Sequence, residues 1–410
     1  MKVWLKLLIG SLLGVTLGLL LPHDNQAVIS ALAWVEILAI RIGRYSLAPV
    51  IFFSLAVAVY ELRQDNRMWG LVFRAAALII GSSVLLVFFG LLAVIVFPPA
   101  RIPILIEGQK EVLSLAIADG VLELFPSNAF AALISDGSYI LPLCVLAFFL
   151  GAGLSYDRTY TKGIAQFVDA LSRIFYYVIS FFSEILGAVI IVLGAFWAIR
   201  FQGALHSEVF RDLIILLAGL ALVTGFGIIP LLLYLLGPKI NPWKQLYGST
   251  GSIIAGFFSG DLNFTLPILI RSAKENHGVK RRVNALTLPL FSAFGRGGSA
   301  MVAAVSLIVI IKSYSSLGVT LADLFTISLA SVIVSLLLAR HPGDGTFAAL
   351  AVLCGFYGRG FEAGYLILKP VAFYLIAIGT FLDVVIASIG TYALGRMSGY
   401  QEEKEIRHFI

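Results

Sequence analysis

Arg296 is the residue that most needs a partner. It stands in Gly295-Arg296-Gly297-Gly298-Ser299, inside an apolar stretch from about Val283 to Ile311. A lone guanidinium there costs about 2.5–3.5 kcal/mol on insertion scales, so it must face the protein interior. Its fork suits a carboxylate or a phosphate. Two readings stay open: Arg296 receives an anionic group of a substrate, or it closes an ion pair with Asp261 or Asp383. Asp261, Asp344, Asp383, Glu184 and His341 are groups that could titrate if desolvated. Glu184 reads as a paired structural carboxylate and His341 as a turn residue, while Arg340 shares that turn and could equally face outside water. Asp344 is favoured at a turn for backbone reasons as well as for ligand contact. Arg41 and Arg44 read as snorkelling or meeting lipid headgroups. Ser259 and His341 have no catalytic spacing, and there is no metal-ligand cluster, so an enzyme is not indicated. The two cysteines, Cys144 and Cys354, lie in apolar runs and form no disulfide framework.

The elements that must carry these residues follow from composition. Of 410 residues 60% are hydrophobic and 13% charged, against about one quarter charged in soluble domains. This is a polytopic membrane protein. The net charge of +6 lies mostly in short loops, which is a topology signal and not a nucleic-acid patch. Full spans are expected at about Val3–Leu21, Ala27–Leu62 with a kink at Pro49, Leu71–Phe97, Ala129–Leu154, Phe167–Ile199, Leu213–Leu236, Val283–Ile311 and Lys369–Gly395. Arg101–Glu123 reads as a short strand-like or interfacial segment. With the N-terminus cytoplasmic, basic clusters such as Arg271, Lys274, Lys280, Arg281 and Arg282 gather on the cytoplasmic side.

Two stretches break the pattern. Residues 244–274 are interrupted by Gly, Ser, Asp261, Asn263 and Pro267, and residues 321–356 by Arg340-His341-Pro342-Gly343-Asp344-Gly345. Each half is shorter than the roughly 20 residues a span needs, so both read as re-entrant helical hairpins. Each is followed by a full span, and they enter from opposite sides. The fold class expected is all-α, with eight transmembrane helices plus two oppositely oriented re-entrant hairpins forming inverted repeats. Paired broken helices at corresponding positions point to a midplane binding site. The candidates are Asp261, Asn263 and Thr265 near one tip, Gly343 and Asp344 near the other, with Arg296, Ser299 and Asp383 between them.

The residues also carry a resemblance. Leu47-Ala48-Pro49, Pro126-Ser127-Asn128, Thr265-Leu266-Pro267, His277-Gly278-Val279-Lys280, Leu288-Pro289-Leu290, Gly298-Ser299, Pro342-Gly343-Asp344-Gly345 and Leu382-Asp383 fall in the order and spacing of another family. The chain resembles, over nearly its full length, the dicarboxylate/amino acid:cation symporter family with the glutamate-transporter fold. That resemblance implies a substrate amine at Asp383 and retains Ser299. It departs where the chemistry lies. Side chains that would help hold sodium are replaced at Gly295, Gly297, Gly390 and Leu394, the substrate-carboxylate arginine falls on Ile386, and Asp261-Leu262-Asn263 replaces a serine triplet.

The reading is a secondary active, elevator-type carrier in the inner membrane, with both termini cytoplasmic. It would move a small anionic or zwitterionic solute such as a dicarboxylate or amino acid, coupled to a cation. No other cofactor is expected; the cation is sodium by resemblance, or a proton. Residues 1–70 and 101–205 would form a scaffold and 71–100 and 206–400 the transport part, with a charged tail at 401–410. The resemblance implies a homotrimer in the lipid bilayer. A substrate-gated anion channel and a non-transporting sensor on the same fold are the alternatives.

Overall fold

The computed structural model describes residues 2–22, 25–103, 117–134, 137–205, 208–235, 240–314, 319–358 and 360–410. Among these it is helical, with one isolated antiparallel bridge between Val279 and Gln401. Seven segments among the described residues are long and apolar enough to cross a membrane. The chain is an all-helical, multi-pass membrane protein.

The first half runs α1 (Val3–Leu20), α2 (Gln26–Arg44), α3 (Leu47–Gln64), α4 (Met68–Val96), α5 (Ile117–Leu124), α6 (Leu141–Leu154), α7 (Arg158–Leu205), α8 (Arg211–Leu222) and α9 (Ile229–Leu235). Pro49 acts earlier than expected. Lacking an N–H and crowding the carbonyl of Tyr45, it ends α2 at Arg44 and starts α3 two residues before itself. The expected fourth span is not one long helix. A 3-10 turn over Ala129–Leu133 precedes α6, which has 14 residues and starts beside Pro142. The segment read as strand-like is helical at its end, in α5; residues 104–116 lie outside the described residues. The expected sixth span holds a π-helical turn over Val223–Ile228, just before Pro230 withdraws an N–H from the ladder. Its expected end at Leu236 lies outside the described residues.

Small residues set the packing of α1 on α7. A Cβ on Gly10, Gly14 or Gly18 would collide with the carbonyls of Gly187, Ile191 and Ala195. Lipid gives helices no hydrophobic drive to associate, so close backbone approach and dispersion hold such pairs together.

The second half runs α10 (Pro242–Ser259), α11 (Leu262–Glu275), α12 (Arg281–Phe294), α13 (Gly297–Tyr314), α14 (Leu321–Ser335), α15 (Gly345–Tyr357) and α16 (Ala372–Met397). Its α13 runs through the centre of the core: every residue from Gly297 to Ile311 is buried. The expected seventh span is broken, α12 and α13 meeting at Gly295 and Arg296. Below α10, buried His277 contacts Gln245 Oε1 through Nδ1 at 2.7 Å, and its Nε2 lies 3.1 and 3.2 Å from the hydroxyls of Ser249 and Ser388. Burial away from water pushes its imidazole down to about 4, so it stays neutral. The charged tail is docked on the bundle. Gln401 bridges Val279, and Phe409 is buried with its ring stacked on Tyr247.

Candidate functional site

The site is built on the break between α12 and α13. Glycine there permits close approach: a Cβ on Gly297 would lie 2.8 Å from Ser83 Cα of α4, and one on Gly298 would strike Leu382 and Asp383 of α16. The break leaves the first N–H groups of α13 without helical partners. Asp383, from the neighbouring α16, takes them. Its Oδ1 accepts from Gly298 N at 2.8 Å and Ser299 N at 3.2 Å, and its Oδ2 accepts from Ser299 Oγ at 2.6 Å. A carboxylate at a helix N-terminus is favoured by the exposed amides and the helix dipole.

Arg296 turns back from the same break. Its Nε lies 3.0 Å from Asp383 Oδ2, off the line of a directed hydrogen bond, so the contact is one of charge. The two side chains are 1% and 0% exposed. Nη2 donates to His341 O at 3.3 Å and Nη1 to Pro342 O at 3.5 Å, both on the α14–α15 turn. Gly345 leaves room for the guanidinium, since any Cβ there would collide with it. Thr346 Oγ1 donates to Ser299 Oγ at 3.1 Å.

The other turn closes on the same point. Gly260 ends α10 in the left-handed region, at φ 61°, where glycine carries no steric penalty. Its carbonyl accepts from Thr380 Oγ1 of α16 at 3.0 Å. Asp261 caps α11 through Phe264 N at 2.9 Å, and its second oxygen pairs with Arg44 at the end of α2. Leu262 N donates to Pro342 O at 3.1 Å, joining the two tips. Gly343 faces Asp261: a Cβ on it would sit 3.1 Å from Oδ2.

The structure therefore gathers Arg296, Asp383, Ser299, Asp261 and Gly343. It does not gather the rest. Asn263 faces away, its Nδ2 donating to Gly137 O and Ser138 O at 3.0 and 2.9 Å while its Oδ1 accepts from Ser292 Oγ at 2.9 Å. Thr265 donates back to Asp261 O within α11. Asp344 is 57% exposed and 3.1 Å from His341 Nδ1, yet near enough to Arg296 to feel its charge. Arg44 does not snorkel; it is mostly buried against Asp261. Arg340 faces Glu123 Oε1 at 2.9 Å, and Glu184 is paired with Lys6 and Arg271. Thr346 and Thr380 were not singled out from the sequence, where neither carries a signal beyond being a hydroxyl near a glycine.

A buried charge pair held where broken helices meet, inside a bundle of apolar spans, is the architecture of a membrane transport protein rather than an enzyme. Residues 3–397 match the sodium:dicarboxylate symporter family, and the chain belongs to it. It is 26% identical over 280 residues to a Caenorhabditis elegans protein described as a sodium-dependent excitatory amino acid transporter, covering 67% of this chain and 55% of that one. With the rabbit excitatory amino acid transporter 3 it shares 27% over 231 residues, 54% of this chain and 42% of the relative. With the human neutral amino acid transporter B(0) it shares 23% over 220 residues, 53% and 40%. The chain spans about half the length of the curated relatives it matches.

Proposed function

We propose that the chain is a secondary active carrier moving a small anionic or zwitterionic solute, of the dicarboxylate or amino acid class, across the membrane. One observation carries this: Arg296 and Asp383 lie fully buried where two hairpin tips and a broken span converge. Helices α11, α14 and α15 have 14, 15 and 13 residues. At 1.5 Å per residue they reach roughly 20–23 Å, short of a 30 Å hydrocarbon core, which supports the re-entrant reading. In this reading the α14–α15 tip is the gate. When it withdraws, the Nη groups lose the carbonyls of His341 and Pro342 and turn to a substrate carboxylate, while Asp383 keeps its contacts to Arg296 Nε, Gly298 and Ser299.

Residues 71–100 and 206–400 would move as a transport part against a scaffold of 1–70 and 101–205, elevator-fashion and within a homotrimer. Arg44 and the Gly137–Ser138 carbonyls, which grip Asp261 and Asn263, would be scaffold contacts released during movement. The basic corner at Lys280, Arg281 and Arg282 supports cytoplasmic termini.

The family name ties transport to sodium, and the positions aligned with its ligands can be tested for fit. They do not fit. A Cβ on Gly390 would strike the Phe291 ring, which also fills the space beside Gly295; Gly297 is packed on Ser83, and Leu394 is buried in the core. Uptake of radiolabelled succinate, L-aspartate and L-alanine into proteoliposomes, under separate sodium and proton gradients, tests the carrier reading. Uptake above protein-free vesicles is expected for at least one of the three. Failure of all three in every gradient would overturn it.

A further inference from the structure

We propose that Arg296 is a tethered cation that takes the place of a bound sodium ion, so that the buried site is complete without one. This rests on the carrier reading and says what neutralises its site. A carboxylate as buried as Asp383 needs a positive partner or a proton. One solution is an ion drawn from the water; the other is a side chain already in place.

Three observations favour the side chain. First, Asp383 has little oxygen to spare. A carboxylate offers about four acceptor directions; two of them, on Oδ1, receive Gly298 N and Ser299 N, Oδ2 receives Ser299 Oγ, and the Arg296 guanidinium lies 3.0 Å from Oδ2 as a charge contact. A hard cation demands several oxygens with free lone pairs, and Asp383 could offer it one direction, beside a guanidinium that repels it. Second, charge is balanced. The buried carboxylates among the described residues are Asp261 and Asp383, and each already has an arginine, Arg44 and Arg296. Third, the room is gone. The Phe291 ring occupies the space between Gly295 and Gly390, so a liganding side chain at Gly390 and this ring exclude each other.

The guanidinium nevertheless keeps a free function. Its Nη groups hold only backbone carbonyls at 3.3 and 3.5 Å, long bonds that a substrate carboxylate would replace with shorter, charge-assisted ones. The same residue then satisfies Asp383 through Nε and substrate through Nη. The charge carried per cycle becomes that of the substrate, with no sodium added.

The test reads sodium binding directly, without a substrate. Purified protein is assayed for saturable 22Na+ binding and for thermal unfolding in NaCl against choline chloride at equal ionic strength. The wild type is expected to show no saturable binding and equal midpoints in the two salts. Arg296→Met frees Asp383, and its midpoint should become dependent on an added cation: higher in NaCl than in choline chloride, or higher in acid than in alkali. Arg296→Met with Asp383→Asn should lose that dependence. Saturable sodium binding by the wild type overturns the proposal, and so does an Arg296→Met variant no more cation-dependent than the wild type. If neither variant folds, the wild-type arm decides alone. Failure of the carrier reading would appear in the uptake panel and leave this binding result unchanged.

Discussion

Removing Arg296 should cost far more than its single charge contact suggests. Asp383 is 0% exposed and its neutralising partner lies 3.0 Å away. Arg296→Met therefore leaves an uncompensated buried carboxylate, which costs about 3–5 kcal/mol. Asp383→Asn does comparable harm by another route. The amide cannot accept at both ends, so α13 loses part of its cap, and its N–H groups face the guanidinium. The double variant removes both charges at once and should lie closer to the wild type than the sum of the singles, with a coupling energy of about 2 kcal/mol or more, near the top of the range for groups in contact. The assay is equilibrium or thermal unfolding of all four proteins in one detergent, followed by circular dichroism. Strict additivity would refute the reasoning, because it would mean that the pair contributes to the fold as two unrelated residues.

The remaining expectations concern the frame around the site. His277 stays neutral in the fold with its imidazole at about 4 against an ordinary 6.5. Its contribution, on the order of 3 kcal/mol, is complete above 6.5 and is lost as pH falls toward 4, because the unfolded chain takes the proton first; His277→Gln should flatten unfolding profiles over that window. Gly14→Leu places a side chain against the Ile191 carbonyl and should prevent α1 docking on α7, seen as loss of monodisperse protein in gel filtration. Phe409→Ala removes a buried ring stacked on Tyr247; it should cost about 3–5 kcal/mol at full burial and expose the tail to limited proteolysis while α16 stays protected.

Much of this was legible because Gly and Pro punctuate apolar helices in only a few ways. The two broken stretches, the turn at Pro342-Gly343-Asp344 and the isolation of Arg296 are local signals; the bond from Leu262 N to Pro342 O joins the two turns. What escaped was long-range. Arg44 pairs with Asp261 across 217 residues, and no periodicity in α2 announces it. The break at Gly295 was present as a glycine run, yet a stretch apolar enough for one span reads as one helix until Asp383 is seen capping its second half. Asn263 stands beside Asp261 in the sequence, yet Asp261 is the extended N-cap of α11 while Asn263 lies inside the helix, its side chain held by Gly137, Ser138 and Ser292. The tail's charges concealed Phe409, whose burial depends on Tyr247 more than 150 residues away.

We propose Arg296 as the substrate-facing cation of a carrier, closed over by the turn at His341 and Pro342. The most direct measurement is counterflow uptake of labelled dicarboxylates and amino acids by wild-type, Arg296→Lys and Arg296→Ala proteoliposomes. Lysine retains the charge but loses the fork that divides Nε and Nη between Asp383 and substrate. Uptake by the wild type is expected, with at least a tenfold loss in both variants, about 1.4 kcal/mol or more. Wild-type rates in both would contradict it.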